Sequence, residues 1–134
     1  MDPAHPVRVL IVDDEAAICR IVPQMLELEG FVAEGIADGN TALARLSREP
    51  LPDVILLDIM MPEMDGFTVL RRIKADPALA HIPVGMVSAK YDPLASRRAV
   101  ASGAVGLVNK PFEIAELLQL IADALASASG APTG

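Results

Sequence analysis

Four side chains set the chemistry open to this sequence: Asp13, Asp14, Asp58 and Lys110. Each follows an apolar run. Val9-Leu10-Ile11-Val12 leads into Asp13 and Asp14, Val54-Ile55-Leu56-Leu57 into Asp58, and Val105-Gly106-Leu107-Val108-Asn109 into Lys110. Ser88 follows a fourth run, Ile82 to Val87. If these runs are parallel strands of one sheet, their carboxyl ends share one edge, which is where open α/β sheets place their ligands. Crowding three carboxylates there is costly: two of them about 5 Å apart repel by roughly 3 kcal/mol at an effective dielectric near 20. Oxygen-only ligands suit a hard divalent cation, and Mg²⁺ is the usual choice beside phosphate. That ion would cancel the repulsion and withdraw charge from an incoming phosphoryl group. Lys110 would supply a movable positive charge and Ser88 a hydroxyl donor. An aspartate oxygen could then attack phosphorus in line and become an aspartyl phosphate.

The elements that must position these groups alternate along the chain. Val7 to Val12 reads as a strand that is continuous rather than alternating, as in a parallel strand buried on both faces. Glu15 to Glu29 reads as a helix with Ile18, Ile21, Val22, Met25 and Leu26 inward, stopped by Gly30. Pro23 falls inside it and should kink the helix or shift its packing. Phe31 to Glu34 is a short strand, and Gly39 to Ser47 a helix with Leu43 and Leu46 inward. Asp53 to Leu57 is a strand after the Pro50 and Pro52 turn, and Phe67 to Ala75 a helix ended by Asp76-Pro77. Ile82 to Val87 is a strand in which Gly85 marks close approach or irregularity. Asp92-Pro93 caps and opens a helix reaching about Ala101. The strand before Lys110 and a helix from Glu113 to Ala126, with Ile114, Leu117, Leu118, Ile121 and Leu125 inward, complete the pattern. Five βα units in succession call for an α/β fold with a parallel sheet covered on both faces.

Composition agrees with one such domain. The chain has 134 residues, 52 % apolar and 3 % aromatic, so aliphatic side chains must fill the core. No apolar run approaches the roughly 18 residues of a membrane span, and the first residues lack the pattern of a signal peptide. Cys19 is the only cysteine, which fits a reducing, cytoplasmic setting; it reads as a buried small apolar residue. The net charge of −7 argues against direct nucleic-acid or lipid binding through the whole surface, with Arg71-Arg72 and Arg97-Arg98 as local basic patches.

Taken together, the motifs resemble the receiver domain of two-component response regulators, of the chemotaxis-regulator type. The matching pieces are Asp13-Asp14-Glu15, Leu57-Asp58-Ile59-Met60-Met61-Pro62 with Asp65-Gly66, Ser88-Ala89, and Lys110-Pro111-Phe112. The resemblance covers residues 6–127 as one domain and leaves 128–134 as a flexible tail. It implies a flavodoxin-like (βα)5 fold with strand order 2-1-3-4-5. It implies that Asp58 accepts a phosphoryl group from a histidine kinase or histidine phosphotransfer protein. It implies Mg²⁺ held by Asp14, Asp58 and the backbone carbonyl of Met60, with Asp13 acting mainly through water, and a cis peptide before Pro111.

Two positions depart from the family pattern. Tyr or Phe usually stands three residues before the lysine and reports phosphorylation by ring rotation; here it is Leu107, which cannot signal that way. Tyr91, three residues after Ser88, is a candidate for part of that role. Met60, two residues after the acceptor, cannot orient a hydrolytic water, so slow self-dephosphorylation is expected; Lys90 is a candidate contact for phosphate or water. The expected output is contact with a downstream target protein, onward transfer of phosphate or drainage of a kinase, by a monomer or a weak phosphorylation-dependent dimer. The alternative is a receiver cut from a larger response regulator. A Mg²⁺-dependent phosphatase with an aspartate nucleophile would need a second acid where Met60 stands, and a receiver that never takes phosphate would not need the full acidic set.

Overall fold

A computed structural model describes residues 5–89 and 92–128. Its elements alternate: β1 (Arg8–Val12), α1 (Ala16–Leu28), β2 (Val32–Ile36), α2 (Gly39–Arg45), β3 (Val54–Asp58), α3 (Gly66–Ala75), β4 (Val84–Ser88), α4 (Pro93–Ala101), β5 (Gly106–Asn109) and α5 (Ile114–Ala128). All strand pairs are parallel, in the order β2-β1-β3-β4-β5. This is the expected α/β architecture and strand order.

Strand side chains point alternately to the two faces of a sheet, and both faces are buried. Leu10, Val12, Ile55, Leu57, Val84 and Met86 pack on one side with α2, α3 and α4. Val9, Ile11, Val54, Leu56 and Val87 pack on the other with Val22 and Leu26 of α1 and Leu117 and Ile121 of α5. Covering both faces leaves the carboxyl ends of the central strands as the open edge where polar groups can collect.

Local differences from expectation have physical causes. In α1 the inward line is Val22, Pro23 and Leu26, while Ile21 and Met25 are 45 % and 36 % exposed. The helix contacts β1 and β2 along the i, i+4 row of Ile18, Val22 and Leu26, which turns Ile21 and Met25 outward. Pro23 lies within the continuous helix with its ring buried. The second strand runs to Ile36 rather than ending at Glu34, because Gly35 lets β2 pass against the Cys19 backbone of α1; a Cβ there would lie 2.8 Å from the Cys19 Cα. Helix α2 ends at Arg45, two residues short of expectation. Strand β3 runs from Val54 to Asp58, one residue later at each end than the expected Asp53 to Leu57, with Asp58 at the strand's end as read from sequence.

Gly85 in β4 is explained by a side chain. A Cβ there would lie 2.7 Å from Leu120 Cδ2, so Leu120, absent from the expected inward set of α5, fills that space. Helix α5 runs through Ala128, one residue into the segment read as a tail; residues 129–134 lie outside the described residues, as do Lys90 and Tyr91. The Lys110–Pro111 peptide is cis, as the resemblance implied, and so is Glu49–Pro50.

Candidate functional site

Three loops meet at the carboxyl edge of the sheet. After β1, the Asp13 amide donates to the Ile36 carbonyl at 3.0 Å, which fixes Asp13 between β1 and β2. Its side chain is buried, and its Oδ1 accepts from the Glu15 amide at 2.9 Å. Asp14 next to it is exposed. At the end of β3, Asp58 is 3 % exposed, and its Oδ1 accepts from the Met60 amide at 3.2 Å. The first turn of α3 lies directly behind it: the Gly66 amide donates to the Ile59 carbonyl at 2.8 Å, and Asp65 caps the helix by accepting from Thr68 at 2.9 Å.

The cation comes from the far side. Pairing of β4 with β5 sets Ser88 opposite Asn109, and the Lys110 amide donates to the Ser88 carbonyl at 2.7 Å. The Lys110 side chain then reaches back across the edge. Its Nζ lies 2.8 Å from Asp13 Oδ2, 2.7 Å from Glu15 Oε1 and 3.6 Å from Asp58 Oδ2. One carboxylate oxygen each from Asp13, Asp14 and Asp58 lies within 4.8 Å of the others. Ser88, buried at the end of β4, lines a cleft of about 180 Å³ with Met60, Phe67, Leu94 and Arg98, so the site opens toward α4.

These positions shift proton affinities in opposite directions. Burial pushes the Asp58 carboxyl up from the ordinary 3.8 to about 7, and the Asp13 charge pushes the same way against Lys110 and the Met60 amide. Burial alone would lower Lys110, but its hydrogen bonds to Asp13 and Glu15 outweigh that and hold the ammonium above its usual value. A carboxylate that resists ionisation beside a firmly charged lysine is a group waiting for more positive charge. The donor set fits a hard divalent ion: three carboxylates at close range, two buried and one open to solvent as a route of entry.

The acids, the amine and the hydroxyl named from sequence are at this edge, while Lys90 and Tyr91 lie outside the described residues. Asp13, Asp14, Asp58 and Lys110 converge, and Ser88 stands one position beyond the Asp58–Val87 pair of β3 and β4. The Met60 amide faces Asp58, while its side chain is 57 % exposed. Leu107 is opposite Met86 in the sheet and packs against the core.

Three contacts were not read from the sequence, although their residues were. Glu15 bonds Lys110 across the chain. The Cys19 thiol donates to the Asp13 carbonyl at 2.9 Å, so Cys19 is half-buried and partnered rather than simple apolar filler; burial raises its pKa. The Arg98 guanidinium lies 3.9 Å from the centre of the Phe67 ring, which ties α4 to α3.

Known proteins are similar to this chain in sequence and in fold. A family model, the response regulator receiver domain, matches residues 9–122. The response regulator PleD of Caulobacter vibrioides is 45 % identical over 107 residues, covering 79 % of this chain and 23 % of PleD. The DNA-binding dual master transcriptional regulator RpaA of Synechocystis sp. is 39 % identical over 111 residues, covering 83 % of this chain and 46 % of RpaA. The chemotaxis protein CheY4 of Vibrio cholerae is similar in structure, with a TM-score of 0.83 at 31 % identity over 90 % of this chain and 100 % of that one. The chain spans less than half the length of these two curated relatives. No helix among the described residues is long and apolar enough to cross a membrane.

Proposed function

Because this chain belongs to the response regulator receiver family, we propose that Asp58 is its phosphoryl acceptor and that the edge around it is built to carry the acyl phosphate. The carrying observation is the meeting of Asp13, Asp14, Asp58 and Lys110, with the ammonium 3.6 Å from the Asp58 carboxylate. The donor is a phosphohistidine on a kinase or phosphotransfer protein. An Asp58 oxygen forms the new P–O bond as the P–N bond of the donor breaks, and the released imidazole nitrogen keeps the electron pair and takes up a proton.

Each residue has a task in that exchange. Asp14, Asp58 and the Met60 carbonyl would hold Mg²⁺, with Asp13 close by. When bound, that ion neutralises charge on the attacking and transferred oxygens. Lys110 pairs with a phosphoryl oxygen, and the Ser88 hydroxyl donates to another. Both lie on segments that continue into α4 and α5, so a change in their partners is passed to that side of the molecule. The state so produced is read by a downstream protein.

Incubation with phosphoramidate and Mg²⁺, followed by intact mass, tests this. Wild type should gain one phosphoryl group and Asp58→Asn none. No gain in wild type would overturn the proposal.

A further inference from the structure

Glu15 stands at the N-cap of α1, where a side chain ordinarily accepts from the first free amides of the helix. It makes no such bond. Instead Oε1 accepts from Lys110 Nζ at 2.7 Å, across 95 positions of chain. An ammonium has three donors. Asp13 holds one at 2.8 Å and Glu15 another at 2.7 Å, whereas Asp58 at 3.6 Å is beyond hydrogen-bond length. Of the three carboxylates around Lys110, the proposed acceptor therefore has the weakest hold on it.

The two stronger holders differ in how easily they let go. The Asp13 side chain is 3 % exposed, so losing Lys110 would leave its charge buried. The Glu15 carboxylate is 55 % exposed and can return to water at little cost. We propose that Glu15 is a positioning residue: it holds Lys110 back from Asp58 in the unphosphorylated protein and is the partner given up when the ammonium turns to the phosphoryl oxygens. This rests on Asp58 being the acceptor. It adds no covalent step, only an exchange of ion-pair partners.

The test combines affinity with a direct view of Lys110. The chain has three lysines, Lys74, Lys90 and Lys110, so lysine labelled with ¹³C at Cε gives few signals, and Lys110→Arg identifies the relevant one. With saturating Mg²⁺, Glu15→Gln should bind the phosphate mimic beryllofluoride about 2- to 5-fold tighter than wild type, the range of an exposed ion pair. Glu15→Asp should restore wild-type behaviour in part. The Lys110 signal should differ between wild type and Glu15→Gln before beryllofluoride is added and coincide afterwards. Equal or weaker binding by Glu15→Gln overturns the proposal. Tighter binding with an unmoved Lys110 signal also overturns it, since that is a field effect and not a held ammonium. If wild type neither binds beryllofluoride nor takes up phosphoryl, the acceptor assignment itself falls, and this role with it.

Discussion

The Asp58 carbonyl rests directly against the Cα of Gly66. A Cβ at Gly66 would collide with that oxygen and lie 2.8 Å from the Ile59 Cα. The first turn of α3 is thus seated on the backbone of the acceptor, and only glycine permits it. Gly66→Ala should cost about 1–3 kcal/mol in urea denaturation and slow phosphoryl uptake, because the displaced backbone belongs to Asp58. Gly30→Ala is the control. Gly30 has φ +94 with nothing near its Cβ position, so it should cost about 1 kcal/mol from strain alone and leave uptake unchanged.

The raised Asp58 carboxyl sets a pH dependence whose sign follows from linkage. Its folded pKa of about 7 lies above the ordinary 3.8, so the folded state holds this proton more tightly than the unfolded one. Its contribution to stability is greatest below pH ~4 and is lost as the pH rises to about 7. In metal-free protein this slope should vanish in Asp58→Asn, which should also melt higher than wild type at pH ~8. Proton and Mg²⁺ compete for the same oxygen, so Mg²⁺ affinity by calorimetry should fall about tenfold between pH ~8 and ~6. Millimolar Mg²⁺ should raise the unfolding midpoint, and less so in Asp14→Asn.

Gly85 and Leu120 share one space in the core between the sheet and α5. Gly85→Ala should cost about 1–3 kcal/mol by overpacking, and Leu120→Ala about 2–5 kcal/mol by leaving a cavity. Joined, the two should cost clearly less than their sum, because the added methyl enters the space that Leu120 vacates. Chemical denaturation of the four proteins measures this coupling; strict additivity would show that the two sites relax independently.

Met60 bears on the lifetime of the acyl phosphate. Its side chain is exposed beside Asp58 and has no group that can orient an attacking water. We expect a wild-type lifetime of minutes or longer after labelling with phosphoramidate, and a several-fold shorter one in Met60→Asn. Decay within seconds in wild type would contradict this role for Met60.

How far these features are legible in sequence depends on whether they leave a local mark. Asp13, Asp58 and Lys110 end apolar runs, so their meeting follows once the runs are parallel strands. The two-sided burial of β1, β3 and β4 appears as unbroken apolar sequence. By contrast, Ile21 and Met25 match helical spacing as well as Val22 and Leu26 do. Only the line of contact between α1 and the sheet decides which pair is buried. Edge strand β2 is half exposed, and its apolar pattern is too weak to mark its end at Ile36. The Lys110–Glu15 bond joins positions 95 apart, and nothing in either local segment announces it. Gly85 reads as a site of close approach, but the chain does not say that the neighbour is Leu120.

Locating the phosphoryl group on the chain tests the central claim most directly. Borohydride reduces an aspartyl phosphate to homoserine, which peptide sequencing by mass spectrometry detects at a single position. After labelling with phosphoramidate and Mg²⁺, homoserine is expected at position 58 and nowhere else. Homoserine at Asp13 or Asp14, or at no position despite prolonged labelling, would contradict Asp58 as the acceptor.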